Sequence, residues 1–151
     1  MTLSYAYYPG CSLHSTGSEY DVSFRAVCDK LGVQLKEIEG WVCCGTSPAH
    51  STSRLLSLAL PFKNLSLAEK MGLSTVVAPC AACFARLKGA IHAVGEKPEL
   101  KDKIADAIGE QLPTSIKVVH PLEIFSNGVD VAGAVKQELP ELKVACYYGC
   151  L

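Results

Sequence analysis

Apolar residues along this chain fall in two rhythms: short runs of strand length, and longer stretches in which they recur every three or four positions. Leu3 to Tyr8 is an aromatic run read as a strand and closed by Pro9-Gly10. Tyr20, Phe24, Val27, Cys28 and Leu31 then follow at helical spacing, with Ser18 the expected N-cap, Glu19 and Asp21 in the first turn, and Gly32 the stop. Val33 to Ile38 reads as a second strand and Gly40 to Pro48 as a loop. Ser51 to Leu60 looks helical, Pro61 interrupts it, and Phe62 to Met71 resumes it as far as Gly72.

Ser74 to Ala78 is a buried strand between Gly72 and Pro79. Phe84, Leu87, Ile91 and Val94 share one face of a helix over Cys83 to Val94. Leu100, Ile104, Ala107 and Ile108 do the same over Glu99 to Gln111. Lys117 to Val119 is a fourth strand, Pro121 to Phe125 a helical turn, and Lys143 to Tyr148 the start of a fifth strand. Strands alternating with helices predict an α/β fold: a mostly parallel sheet flanked by helices, a Rossmann-like layer.

Composition narrows the class. The length, 151 residues, suits one domain, and 49% hydrophobic residues can fill its core. Net charge is −1 with both signs interspersed, and no basic stripe points to nucleic acid. No apolar run approaches a membrane span. The opening MTLSYAYYPGC lacks the basic and apolar regions of a secretory signal. Eight cysteines without a signal predict a reducing cytoplasm, where such sets bind metal or carry out redox chemistry more often than they form structural disulfides.

Five of those cysteines form a pattern: Cys11, then 31 residues, then Cys43-Cys44, then 35 residues, then Cys80-Ala81-Ala82-Cys83. Each group follows a predicted strand, and open α/β sheets gather their ligand sites outside the carboxyl ends of the strands. Neighbouring side chains on a strand point apart, so Cys43 and Cys44 need a sharp turn to face one ligand, and Gly45 permits it. A helix starting near Cys80 favours thiolate over thiol. Five sulfurs exceed the needs of one tetrahedral zinc or one ordinary four-cysteine cubane. Either one is spare, or the bound object is larger or has bridging thiolates.

Other residues carry weaker signals. His14 and His50 lie close in sequence to Cys11 and Cys44 and could donate to a cluster sulfide or protonate a leaving thiolate. His120 ends a strand, where a capping or surface role competes with a place at the site; His92 reads as exposed. Arg86 and Lys88 read as a solvated helix face, the alternative being attraction of an anionic thiol. Cys28 and Cys146 read as core. Ala6-Tyr7-Tyr8-Pro9-Gly10-Cys11 is echoed by Cys146-Tyr147-Tyr148-Gly149-Cys150, with one residue missing. The expected organisation is therefore a first unit over 1–142 and the opening of a second copy over 143–151, as in the N-terminal part of a longer, duplicated protein.

The motifs YYPGCSLHSTGSEYD, WVCCGTSPAH, APCAACFARLK, HPLEIF and ACYYGCL resemble the cysteine-rich CCG domain, in the form found in the B subunit of heterodisulfide reductase. The resemblance covers essentially the whole chain. It implies that Cys11, Cys43, Cys44, Cys80 and Cys83 hold a noncubane [4Fe–4S] cluster. It further implies that the full-length protein has two such domains, with the substrate disulfide between their clusters. Electrons then arrive singly from the iron–sulfur C subunit of a heterodisulfide reductase complex, and ultimately from its flavin A subunit. In methanogens the disulfide is that of coenzymes M and B. This chain departs from the family in carrying one complete motif. Two other readings compete: a structural zinc or partner-docking module using four of the five thiolates, and a metal-free thiol–disulfide oxidoreductase using Cys80 and Cys83.

Overall fold

The computed structural model describes residues 3–146. Four strands form one wholly parallel sheet: β1 (Leu3–Tyr7), β2 (Val33–Glu37), β3 (Thr75–Val77) and β4 (Lys117–Val119), in the order β2-β1-β3-β4. The helices are α1 (Gly10–Leu13), α2 (Ser18–Lys30), α3 (Thr46–Thr52), α4 (Arg54–Lys70), α5 (Ala81–Glu96), α6 (Leu100–Ile108), α7 (Pro121–Asn127) and α8 (Val131–Ala134).

Strand alternation divides the core between the two faces of the sheet. Ala6, Tyr8, Val76, Ala78 and Val118 face α4, α5 and α6, whose Phe62, Leu65, Leu87 and Ile104 close over them. Tyr7, Val33 and Val77 face α2 and α7, packing against Phe24, Cys28 and Ile124. The chain therefore leaves β1 towards one side of the sheet and β3 towards the other. That reversal makes the gap between the ends of β1 and β3 the topological switch point, where open α/β sheets place their ligands.

The strand ends are level. Ladder hydrogen bonds continue past the strands from Ile38 N to Tyr7 O (3.0 Å), Tyr8 N to Val77 O (3.0 Å) and Ala78 N to Val119 O (3.1 Å). Pro9, Glu39, Pro79 and His120 thus leave the sheet along one edge.

Several boundaries differ from expectation. Ser18 is the first residue of α2 rather than its cap; Gly17 holds the N-cap position and no side chain caps it. The expected break at Pro61 falls instead at Ser53, whose extended backbone and hydroxyl start α4 afresh by accepting from Leu56 N. Pro61 lies inside α4. A mid-helix proline costs about 3 kcal/mol. Burying Leu58, Phe62, Leu65 and Ala68 on that helix outweighs it, at roughly 1.5–3 kcal/mol for each large side chain. The loop predicted over Gly40 to Pro48 becomes helical at Thr46, and α1 and α8 carried no periodic signal at all. Lys143 to Cys146 form no strand, because no neighbouring strand pairs with them among the described residues; Val144 is exposed. Cys146 is exposed rather than core for the same reason. Tyr147 to Leu151, and with them Cys150 of the echoed motif, lie outside the described residues.

Candidate metal centre

The first turn after β1 brings Cys11 onto α1. Gly10 precedes it with φ +68°, and a Cβ there would stand 2.9 Å from the Cys83 sulfur. Glycine is what allows the first cysteine loop to close on the third. After β2, Gly45 takes φ +83°, and a Cβ would meet Ala49 Cβ at 2.6 Å and Leu60 Cδ1 at 2.8 Å. This is the turn that separates Cys43, exposed, from Cys44, buried. After β3, Cys80 is the N-cap residue of α5 and half-buried, and Cys83 sits buried in the first turn.

The five thiols interact in two groups. The Cys44 and Cys83 sulfurs are 3.3 Å apart. Cys80 interacts with Cys83, and Cys11 with Cys43, closely enough for each pair to shift in titration. The Cys43 sulfur accepts from Gly45 N at 3.5 Å, and the Cys44 sulfur lies 3.3 Å from Thr46 Oγ1. All seven cysteines within the described residues are free thiols.

The titration of the set is split. Cys80 is brought down to about 4, first by its bond with Cys83, then, against burial, by the Cys83 amide, the Ser12 hydroxyl and the Ala82 amide. Cys44 is brought down to about 5 by its bond with Cys83 and, against burial, by the hydroxyl and amide of Thr46. Cys83 is driven up, because its proton is shared with Cys44 and Cys80 and its sulfur is buried. The Gly45 amide pulls Cys43 down, but burial and the Cys44 and Cys11 sulfurs outweigh it and leave it raised. Cys44 and Cys80 are thus favoured as thiolates, the form in which cysteine ligates metal, with Cys83 as the proton donor to both. Tyr8 is raised by burial and then by the charges of the Cys83, Cys44, Cys43 and Cys11 sulfurs.

A clamp that the cysteine pattern does not announce fixes the middle loop. Asn64 on α4 is fully buried. Its Oδ1 accepts from Val42 N at 2.8 Å, while its Nδ2 donates to Val42 O at 2.9 Å and to Leu60 O at 3.0 Å. The Tyr8 hydroxyl donates to the same Val42 carbonyl at 2.8 Å. The residue before Cys43 is therefore held from two sides. The signal was a polar side chain at i+4 from Leu60 and i−4 from Ala68, on the buried stripe of a helix.

The remaining candidates lie elsewhere. His14 Nε2 is 3.3 Å from Glu37 Oε1, and its ring packs edge-on against Trp41 at 5.3 Å. His50 contacts Arg86. His120 caps α7, accepting from Leu122 N in a reciprocal pair with Glu123. His92 is exposed beside Glu96. Among the described residues, none of these four histidines bonds a cysteine sulfur. Among the described residues, no group of three or more His, Cys, Asp or Glu side chains is arranged to hold a single metal ion.

Comparison with known proteins bears on this geometry. A family model described as a cysteine-rich domain, CCG, matches residues 5–88, the span that contains all five cysteines. The chain is 35% identical to the 8-methylmenaquinol:fumarate reductase membrane anchor subunit of Wolinella succinogenes, over 99% of this chain and 53% of that one. It is 27% identical to a protein of Archaeoglobus profundus described as like the B subunit of heterodisulfide reductase, over 98% and 52%. It is 22% identical to the B subunit of the ferredoxin:CoB-CoM heterodisulfide reductase of Methanosarcina acetivorans, over 89% and 48%. The chain thus spans about half the length of these relatives. In fold it is similar to a hypothetical protein from Helicobacter pylori, with a TM-score of 0.67 and 16% identity over 80% of this chain and 24% of that one. Among the described residues no helix is long and apolar enough to cross a membrane.

Proposed function

This chain belongs to the cysteine-rich CCG domain family, and on that premise we propose that it is the iron–sulfur module of an oxidoreductase similar to the B subunit of heterodisulfide reductase. Its chemistry is reduction of a small disulfide in one-electron steps. Cys11, Cys43, Cys44, Cys80 and Cys83 are the ligand set, and the noncubane [4Fe–4S] cluster is the group they hold. The observation that carries this reading is five sulfurs on three strand-to-helix loops at the switch point, with Cys44 and Cys80 favoured as thiolates.

The residues fit such a group better than a lone ion. A tetrahedral zinc needs four ligands about one point. Here the sulfurs form two linked sets, Cys11 with Cys43 and Cys44 with Cys83 and Cys80, and no single-ion arrangement is present among the described residues. A bound cluster would supply single electrons and an iron able to accept a sulfur as the disulfide opens. The protein supplies the rest. Gly10 and Gly45 let the loops meet, Asn64 and Tyr8 fix the middle loop, and the amide end of α5 favours negative sulfur. An iron–sulfur donor protein and a flavoprotein, corresponding to the C and A subunits of heterodisulfide reductase, complete the proposed electron path in a cytoplasmic complex, with the 1–142 unit as one of two such domains.

The likeness to the fumarate reductase anchor protein favours a second reading, in which the same centre relays electrons to a partner without cleaving a disulfide. One experiment separates the readings: iron and acid-labile sulfide analysis of anaerobically prepared protein, with electron paramagnetic resonance before and after adding thiol. Iron with sulfide, and a spectrum that thiol changes, is the expected result. A thiol-insensitive cluster selects the relay. Zinc without sulfide, or a cluster that survives Cys11→Ser or Cys83→Ser but not Cys28→Ser, overturns the proposal.

A further inference from the structure

The cysteines stand in two settings. Cys44 and Cys83 are buried, and the core against α4 and α5 holds them by packing. Cys11 and Cys43 are exposed, on the segments that follow β1 and β2. Burial cannot fix their spacing as it fixes the inner pair. Asn64 and Tyr8 grip the second loop at Val42, just before Cys43. Cys11 sits on α1, a helix of four residues whose N-cap makes no side-chain bond. Its loop needs a tie of another kind.

One carboxylate supplies that tie. Glu37 is the last residue of β2. Its Oε1 lies 3.3 Å from Nε2 of His14, three residues after Cys11. The same oxygen accepts from Nε1 of Trp41 at 3.2 Å, two residues before Cys43. The two rings meet edge-on at 5.3 Å, and Trp41 packs edge-on against Tyr8 at 5.5 Å. The other oxygen, Oε2, accepts from Arg25 Nη2 at 2.6 Å. Arg25 donates from Nε to Asp21 at 3.0 Å and lies over the Tyr7 ring, 4.2 Å from its centroid. The Tyr7 hydroxyl donates to Asp21 as well. One oxygen of Glu37 is thus anchored to α2 and, through it, to β1; the other joins the two cysteine loops.

We propose that Glu37 is a positioning residue for the exposed half of the centre: its carboxylate, holding His14 and Trp41 together, fixes the spacing of the Cys11 and Cys43 sulfurs. The inference rests on the five-cysteine ligand set proposed above and deepens it. A group bound by all five sulfurs needs both halves in place at once. The Arg25 and Glu37 side chains are 34% and 36% exposed, so their ion pair adds little to global stability. What the carboxylate contributes is geometry. Its loss loosens Cys11 against Cys43 and leaves Cys44 and Cys83, 3.3 Å apart in the core, where they are. The centre then has a rigid inner edge and an outer edge whose width a surface carboxylate sets.

The test uses the full chain, reduced and metal-free, treated with dibromobimane, whose two arms link neighbouring thiols. Peptide fragmentation locates the links, and the yield of Cys11–Cys43 is read against that of Cys44–Cys83 in the same sample. Both links are expected in the parent. Glu37→Ala should lower the ratio about tenfold, as loss of a held geometry between two reacting groups predicts. Trp41→Phe keeps a ring against Tyr8 but removes the indole donor, and should lower the ratio in the same direction. Asp21→Asn breaks the outer ion pair, leaves the bonds from His14 and Trp41 to Glu37, and should keep the ratio within about twofold. No Cys11–Cys43 link in the parent, an unchanged ratio in Glu37→Ala, or an equal fall in Asp21→Asn overturns the proposal. The iron–sulfur reading fails separately: iron and sulfide are then missing from a protein whose ratio still depends on Glu37.

Discussion

The fate of the cysteine centre turns on residues that carry no sulfur. Cys11, Cys43, Cys44, Cys80 and Cys83 were legible in the sequence because thiols in a CCG turn and a CxxC have few other reasons to occur together after successive strands. Asn64 was not legible, since one polar residue in a long apolar helix is compatible with a solvated position. Its role depends on a contact 22 residues away, with the Val42 backbone. Asn64→Ala would leave the Val42 amide without its acceptor, while Tyr8 still donates to the Val42 carbonyl. A group left unpaired costs about 1–3 kcal/mol, so the variant should lose about that much in urea unfolding. Retained iron should fall with it, because the loop that presents Cys43 and Cys44 is released. A variant as stable as the parent would show that the clamp is not needed.

At the scale of elements, hydrophobic rhythm located all four strands and the four longest helices, since each has one face on the core. It failed where the ordering force is not periodic burial. Helix α3 is nucleated by the Gly45 turn and a Thr46 backbone at φ +22°, and α8 by the Asp130 side chain accepting from Gly133 N, neither of which leaves an apolar stripe. One tertiary link between elements is electrostatic. Glu110, just past α6, receives Lys63 at 2.8 Å and also Lys70, both from α4. The Lys63 and Lys70 hydrogen bonds hold its carboxyl below the ordinary range. A lowered folded pKa gives stability that is full above the unfolded value of about 4.3 and is lost as pH falls through the folded one. Glu110→Gln should therefore cost about 0.5–1 kcal/mol at pH 7, the range for solvent-accessible pairs, and that difference should shrink towards zero in acid. Urea midpoints of both proteins from pH 7 down to pH 3 check the sign. A gap that widens in acid would contradict it.

For the whole molecule, the two faces of the sheet have separate tasks in relation to the metal. The core against α2 and α7 contains no ligand of the proposed centre, although Cys80 packs at its margin; the core against α4 and α5 contains Cys44 and Cys83 but is filled mainly by Leu65, Leu87, Ile104 and the strand side chains. Most apolar burial is therefore independent of metal, unlike a zinc finger, whose small core cannot fold without its ion. Binding of a cluster adds stability only through its preference for the folded loops. Chelation of iron from the loaded protein should thus leave far-ultraviolet circular dichroism nearly unchanged and lower the melting temperature by at least about 4 °C, the shift expected for some 1–2 kcal/mol in a domain of this size. Limited proteolysis should then cut first between β2 and α4, where the Cys43 loop and Ser53 lie exposed, while the β1–β3 pairing at the centre of the sheet resists. Cooperative loss of helix signal on chelation would show instead that the sulfurs hold the fold together, and the separation of scaffold from centre would have to be abandoned.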